Sequence, residues 1–166
     1  MISLRPATKD DISLLKSWDD KPHVISAGGG DDWYDWDAEV PREADWGELL
    51  IAEEDGRPVG VMEICDPARE PSHYWGEIDD NLRALDIWIG EEDDLGRGLG
   101  SQMMRAALAR CFADKKVTAV VIDPLETNIR ARKFYERLGF VAVGPRRFGD
   151  DDCMVYRLER DSFIAP

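Results

Sequence analysis

No stretch of this 166-residue sequence comes near the length of an apolar membrane span, so a membrane-embedded role is not expected. Cations are scarce. Lys and Arg number 21 against 35 Asp and Glu, for a formal net charge of −14. Nucleic acids and anionic membrane surfaces both need clustered positive charge, and this balance argues against them as partners. It would attract a cationic ligand, although an acidic surface also serves solubility alone. Cysteine is sparse too. Cys65, Cys111 and Cys153 are widely spaced and odd in number, which gives neither a disulfide framework nor a CxxC metal site. Reduced thiols in the cytoplasm are the simplest expectation. The two histidines, His23 and His73, have no metal-ligand partner pattern, so no metal is expected, and His23 reads as structural, held by its local turn. The start, Met1-Ile2-Ser3-Leu4-Arg5-Pro6, lacks a basic segment followed by an apolar one, and no secretion signal is read there. No repeat or low-complexity linker divides the chain. A single domain spanning 1–166, monomeric or homodimeric, is expected, with an apolar share of 43% to fill its core.

What is present alternates between strand and helix patterns. Ile2 to Arg5 is a short strand. Thr8 and Asp11 form a capping box that opens a helix burying Ile12, Leu14, Leu15 and Trp18, and Pro22 ends it. Gly28-Gly29-Gly30 is a flexible joint. Glu48–Glu53 and Pro58–Cys65 are two strands joined by the hairpin signal Asp55-Gly56. A polar loop from Asp66 to about Asp80 precedes a strand over Arg83 to Gly90. A helix from about Leu99 to Ala113 carries Met103, Met104, Ala107, Leu108, Cys111 and Phe112 at helical spacing. Thr118–Ile122 reads as a buried strand, Asn128–Leu138 as a helix closed by Gly139, and Val141–Val143 and Met154–Leu158 as final strands. The order implies an α/β fold around a mixed sheet.

Between the strand ending near Gly90 and the helix starting near Leu99 lies Leu95-Gly96-Arg97-Gly98-Leu99-Gly100-Ser101. Glycines let a backbone approach a ligand closely, and a helix N-terminus offers free N–H groups and a positive dipole. Together these suit a diphosphate such as that of coenzyme A. A plain tight turn would use the same residues. The P-loop is excluded because no Gly-Lys-Ser/Thr closes the run, and the dinucleotide fingerprint fails on glycine spacing.

The run from Ile89 to Gly100 resembles the acetyl-CoA motif Gln/Arg-x-x-Gly-x-Gly/Ala of the GNAT superfamily, with Leu95 standing at the Gln/Arg position. The later run from Asp123 to Phe140 resembles its Asn-x-x-Ala-x-x-x-Tyr-x-x-x-Gly-Phe signature, through Asn128, Ala131, Tyr135, Gly139 and Phe140. Both occur in the family's order. Within the superfamily the chain looks most like bacterial aminoglycoside 6'-N-acetyltransferases over nearly its whole length. The segments that carry this likeness are Trp18–Val24, Tyr74-Trp75-Gly76-Glu77, Leu85-Asp86-Ile87, Asp123-Pro124 and the acidic turn Gly149–Asp152. The N-terminal pattern is shared with acyltransferases of siderophore hydroxamate synthesis.

The resemblance implies a GNAT fold: a mostly antiparallel central sheet flanked by helices and splayed between its fourth and fifth strands. It also implies acetyl transfer from acetyl-CoA, without a metal, to a primary amine of a small cationic substrate, an aminoglycoside first and a hydroxylysine-type amine second. A non-catalytic acetyl-CoA sensor is a third reading, against which an intact Asp86 and Tyr135 stand. The cofactor would lie along Ile87, Trp88 and Ile89, the loop Leu95, Gly96, Arg97, Gly98, Leu99, Gly100 and Ser101, and the helix positions Asn128, Ala131, Phe134 and Tyr135. Tyr135 would protonate the leaving sulfur, unless it is an ordinary core aromatic. Asp86, a carboxylate inside an apolar strand, would act as base or orient the amine, unless it lies on a solvent face. Asp123 would share its cleft or serve only a strand-end turn. Asn128 would hold the cofactor, cap its helix, or both. Trp33, Tyr34, Trp36 and Trp46 are interleaved with acidic residues, and Trp33, Trp36 and Val40 fall on one helical face; the segment reads as an aromatic wall for a sugar or as an amphipathic helix docked on the core. Tyr74 and Asp151 complete the expected substrate contacts.

Overall fold

The computed structural model describes residues 1–27 and 34–164. The Gly28-Gly29-Gly30 joint, Asp31 and Trp33 lie outside the described residues. Seven strands form a sheet in the order β1-β2-β3-β4-β5-β7-β6. These are β1 (Ile2–Pro6), β2 (Gly47–Glu54), β3 (Arg57–Cys65), β4 (Leu82–Ile89), β5 (Ala119–Ile122), β6 (Val141–Phe148) and β7 (Asp151–Glu159). All neighbours are antiparallel except β4 and β5, whose parallel ladder covers only Leu82–Ala84 against Ala119–Val121. Beyond that ladder β4 runs on to Ile89 while β5 ends at Ile122, so the sheet opens between them.

Alternating side chains divide the sheet into two covered faces. Ile51, Val61 and Trp88 pack under α1 (Ile12–Asp19), α2 (Pro22–Ala27) and α3 (Trp36–Glu39) with Leu15, Trp18, Val24 and Trp36. Leu50, Ala52, Met62, Ile64 and Leu85 face α4 (Leu99–Ala113) and α5 (Ile129–Arg137). Met103, Met104 and Leu108 of α4 are essentially inaccessible, and truncating any one to Ala should cost about 2–5 kcal/mol. Among the described residues no helix is long and apolar enough to cross a membrane.

Local chemistry explains the element ends. Asp11 accepts from the Thr8 N–H at 2.8 Å ahead of α1. Leu15 and Trp18 are the buried face of α1, while Ile12 and Leu14 are only partly covered. Pro22 does more than end this helix, since it opens α2, where a missing N–H and a fixed φ are no handicap. Asp55 and Gly56 both have positive φ, as a tight hairpin turn demands. β6 extends to Phe148, well past the expected Val143. Its second half, Gly144-Pro145-Arg146-Arg147, lacks apolar alternation because β6 is an edge strand, where Pro145 sacrifices no buried hydrogen bond. Of the acidic turn read at Gly149–Asp152, only Gly149 and Asp150 turn; Asp151 and Asp152 already belong to β7.

Candidate functional site

Two cavities meet where the sheet opens. The first, of about 870 Å³, is walled by Ile87, Trp88 and Ile89 of β4, by the loop residues Leu95, Gly96, Gly98, Gly100 and Ser101, and by Asn128, Ala131, Phe134 and Tyr135. Gly98 caps α4 in the left-handed conformation, with φ 78°, and no side chain caps the helix N-terminus. A Cβ on Gly96 or Gly98 would meet nothing within 4 Å, so the loop backbone lies open to a ligand. A diphosphate fits such a cradle of exposed N–H groups at the positive end of a 15-residue helix. Two expected lining residues turn their side chains elsewhere. Leu99 is buried in the core, and the Arg97 guanidinium binds Asp94 at 2.6 Å and Glu54 at 3.0 Å. Their share of the site is therefore backbone. Asn128 caps α5, its Oδ1 accepting from the Ala131 N–H at 3.1 Å, and also lines both cavities. His23 lines the first cavity and is held by β4, not by its own turn: its Nε2 donates to the Ile89 carbonyl at 2.9 Å.

The second cavity, of about 570 Å³, shares Val24, Ala27, Ile87, Trp88, Asn128, Ala131 and Tyr135 with the first. Six carboxylates, Glu39, Glu63, Glu70, Asp86, Asp123 and Asp151, stand among its lining, and Arg42 is the one cation among its described lining residues. Arg42 is itself bound to Glu39 and stacked 4.2 Å from the Trp46 ring. Tyr74 donates to Asp123 at 2.5 Å and stacks on Phe148 with centroids 4.7 Å apart. Asp86 is exposed to solvent at the cleft, while the protein around that cleft still desolvates its carboxylate. Burial, and then the charge of Asp123, push Asp86 above the ordinary carboxylate range. Burial does the same to Asp123, against the opposing hydrogen bond from Tyr74. The two titrate as a pair. Tyr135, on the shared wall, is 9% exposed; burial and both aspartates raise its phenol, so it stays protonated at neutral pH.

Trp36 requires correction as a substrate contact. It is 1% exposed, stacks on Tyr34, and donates from Nε1 to Asp19 at 2.6 Å, so it belongs to the core. Tyr34 stands at the cavity in its place. Sequence reasoning put Tyr34 in the aromatic segment without singling it out as a contact, and missed Glu63. A signal for Glu63 was available: like Asp86, it is the one acid of its strand and sits between apolar neighbours.

A family model described as acetyltransferase (GNAT) domain matches residues 7–148. The aminoglycoside N(6')-acetyltransferase type 1 of Klebsiella pneumoniae is 28% identical over 172 residues, covering 98% of this chain and 85% of that protein. The lysine N-acyltransferase MbtK of Mycobacterium tuberculosis is 25% identical over 171 residues, covering 98% of this chain and 79% of that one. The crystal structure of aminoglycoside acetyltransferase AAC(6')-Ib with coenzyme A and kanamycin aligns at a TM-score of 0.85 and 25% identity, covering 98% of this chain and 96% of that chain.

Proposed function

This chain belongs to the acetyltransferase (GNAT) family, and from that premise we propose that it acetylates a primary amine of a small polycation, an aminoglycoside at its 6'-amine, using acetyl-CoA. The observation that carries this reading is the wall of carboxylates on the far side of Tyr135 from the glycine-loop cavity. Acetyl-CoA supplies the acetyl group as a thioester. The α4 N-terminus and the Gly96–Ser101 backbone hold its diphosphate, and Ile87–Ile89, Ala131 and Phe134 flank its arm.

On the acceptor side, Asp86 takes a proton from the substrate ammonium, leaving a neutral amine aimed across the sheet opening. Its raised pKa makes it a better base than a surface carboxylate. Tyr135 donates its hydroxyl proton to the departing sulfur and recovers one from the nitrogen that has become an amide. Asp123 and Asp151 hold further ammonium groups, and Tyr74 orients Asp123. The three cysteines are unpaired, which fits a reducing compartment, and we place the enzyme in the cytoplasm.

The likeness to a lysine N-acyltransferase supports a second acceptor class, a hydroxylysine-type amine. A hydroxylysine-type amine brings few cationic groups and a carboxylate of its own, so it would leave most of the wall unpaired, which favours the polycation. Assays with acetyl-CoA against kanamycin and a hydroxylysine-type amine separate the two. Turnover of kanamycin at the higher kcat/KM is expected. Good turnover of the hydroxylysine-type amine with none of any aminoglycoside would overturn the reading. Coenzyme A binding without turnover of any amine would point instead to a sensor.

A further inference from the structure

We propose that Glu63 is a positioning residue that relays onward, through the Tyr34 hydroxyl, the proton that Asp86 removes from the acceptor ammonium. This rests on the reading of Asp86 as base. Glu63 and Asp86 are direct register partners on β3 and β4, so their side chains leave the same face of the sheet. The Tyr34 hydroxyl sits between them, bonded to Glu63 Oε2 and 3.4 Å from Asp86 Oδ2. A hydroxyl has one proton to give. With that proton committed to Glu63, the contact to Asp86 becomes a hydrogen bond only when Asp86 carries a proton and donates it to the Tyr34 oxygen. These contacts form a two-step wire between Asp86 and Glu63.

The tyrosine is held for this. Its ring stacks on Trp36 with centroids 4.8 Å apart and lies 5.6 Å from Trp88, and Trp36 is anchored by Asp19. Burial and the two acids raise the Tyr34 phenol far above its ordinary range, so it passes a proton on without resting as a phenolate. Burial pushes Glu63 up to about 7, which makes it an acceptor near neutrality. The other charged and titratable groups facing the cluster are Arg42, 3.7 Å from Glu63, with Glu39 beside it, Cys65 on β3, and Asp123, Tyr74 and Tyr135 across the cleft.

The proton balance is simple. The ammonium N–H proton moves to Asp86. The Asp86 proton then moves to the Tyr34 oxygen as the Tyr34 hydroxyl proton moves to Glu63. Asp86 is again a carboxylate, Tyr34 is again a phenol, and Glu63 loses its proton to water between turnovers. No electrons change hands.

Steady-state kinetics with acetyl-CoA and kanamycin, from pH 5.5 to 9, test this. Glu63→Gln and Tyr34→Phe should each lower kcat on the order of tenfold while KM for kanamycin stays within about twofold. The double variant should be no slower than the slower single, because one wire is cut only once. Glu63→Gln should also remove from the acidic limb of kcat the inflection near pH 7 that ionisation of Glu63 imposes on the relay. Unchanged coenzyme A affinity by calorimetry verifies the fold of each variant, and Tyr34→Phe carries the test should Glu63→Gln not fold. Additive losses, or a raised KM at unchanged kcat, would overturn the relay and make Glu63 a direct acceptor contact. Asp86→Asn separates the two readings. If it abolishes turnover while both relay variants keep it, only the relay falls; if it keeps wild-type kcat, the base and the relay fall together.

Discussion

Asp86 and Asp123 stand at matching positions, each two residues past Ala84↔Val121, the last pair of the β4–β5 ladder. Had the ladder continued, they would have been neighbours on one face. The opening leaves a cleft between them, but they remain close enough for the charge of Asp123 to raise the cost of ionising Asp86. In the native state both pKa values lie above that of an unfolded aspartate, so from about pH 4 upward the native pair keeps protons that the unfolded chain has lost. Stability therefore falls as pH rises through the window between the unfolded and native values, and the loss is complete above it. Asp123→Asn should remove much of this effect, raising Tm at pH 8 by roughly 2–4 °C while leaving it little changed near pH 4. Kanamycin turnover should drop in the same variant. Calorimetric melts across pH would read it, and a Tm lowered at pH 8 would refute the like-charge account.

Tyr135 supplies a second test. Its phenol is raised by burial and by the aspartates, so it remains a donor throughout the working pH range. Tyr135→Phe should cut kcat about 100-fold with little change in acetyl-CoA affinity. Single-turnover kinetics at saturating acetyl-CoA measure this directly. A full rate in the phenylalanine variant would leave sulfur protonation to another group.

Two glycines should fail in different ways. Gly98, at φ 78° with open space around it, borders the glycine-loop cavity. Gly98→Val adds left-handed backbone strain of about 1–2 kcal/mol and a branched side chain over the helix N-terminus, so coenzyme A binding should fall steeply while Tm drops only modestly. At Gly90 a Cβ would come within 1.9 Å of the Trp18 ring, which is 1% exposed and cannot yield. Gly90→Ala should therefore destabilise the whole protein by several degrees in Tm. Calorimetric titration and melting of both variants distinguish the two effects; unchanged coenzyme A affinity in Gly98→Val would remove the loop from the cofactor site.

The parts legible in the sequence are those where one local rule decides. Asp55-Gly56 can hardly be anything but a tight turn, the Met103-to-Phe112 spacing is helical on sight, and a carboxylate amid Ala84–Ile89 is visible as an anomaly. Less legible is whatever depends on which face meets which neighbour. Trp36 and Tyr34 lie two residues apart in one acidic, aromatic segment, and only packing against Trp88 and Asp19 sends the indole into the core and the phenol to the cavity. The pairing of Glu63 with Asp86 is likewise a matter of strand register, which no local pattern within β3 announces.

Substrate charge gives the last prediction. Glu39, Glu63, Glu70, Asp86, Asp123 and Asp151 surround one cavity, with Arg42 as the opposing cation among its described lining residues and Arg42 already engaged by Glu39. With Glu63 engaged by Tyr34 and Arg42, a ligand with several ammonium groups still meets several of the other carboxylates at once, whereas a monoamine meets one. The Debye length shrinks from about 10 Å at 0.1 M salt to about 3 Å at 1 M, so the summed long-range attraction is what salt removes. The kcat/KM for kanamycin should accordingly fall on the order of tenfold between 0.05 and 0.5 M sodium chloride, and that for a small monoamine should change less than about twofold. Asp151→Asn, at the start of β7 and remote from the sulfur-protonating role assigned to Tyr135, should raise KM for kanamycin severalfold, leave kcat nearly intact and flatten the salt dependence. Equal salt slopes for the two amines would mean that the acidic wall does not select a polycation.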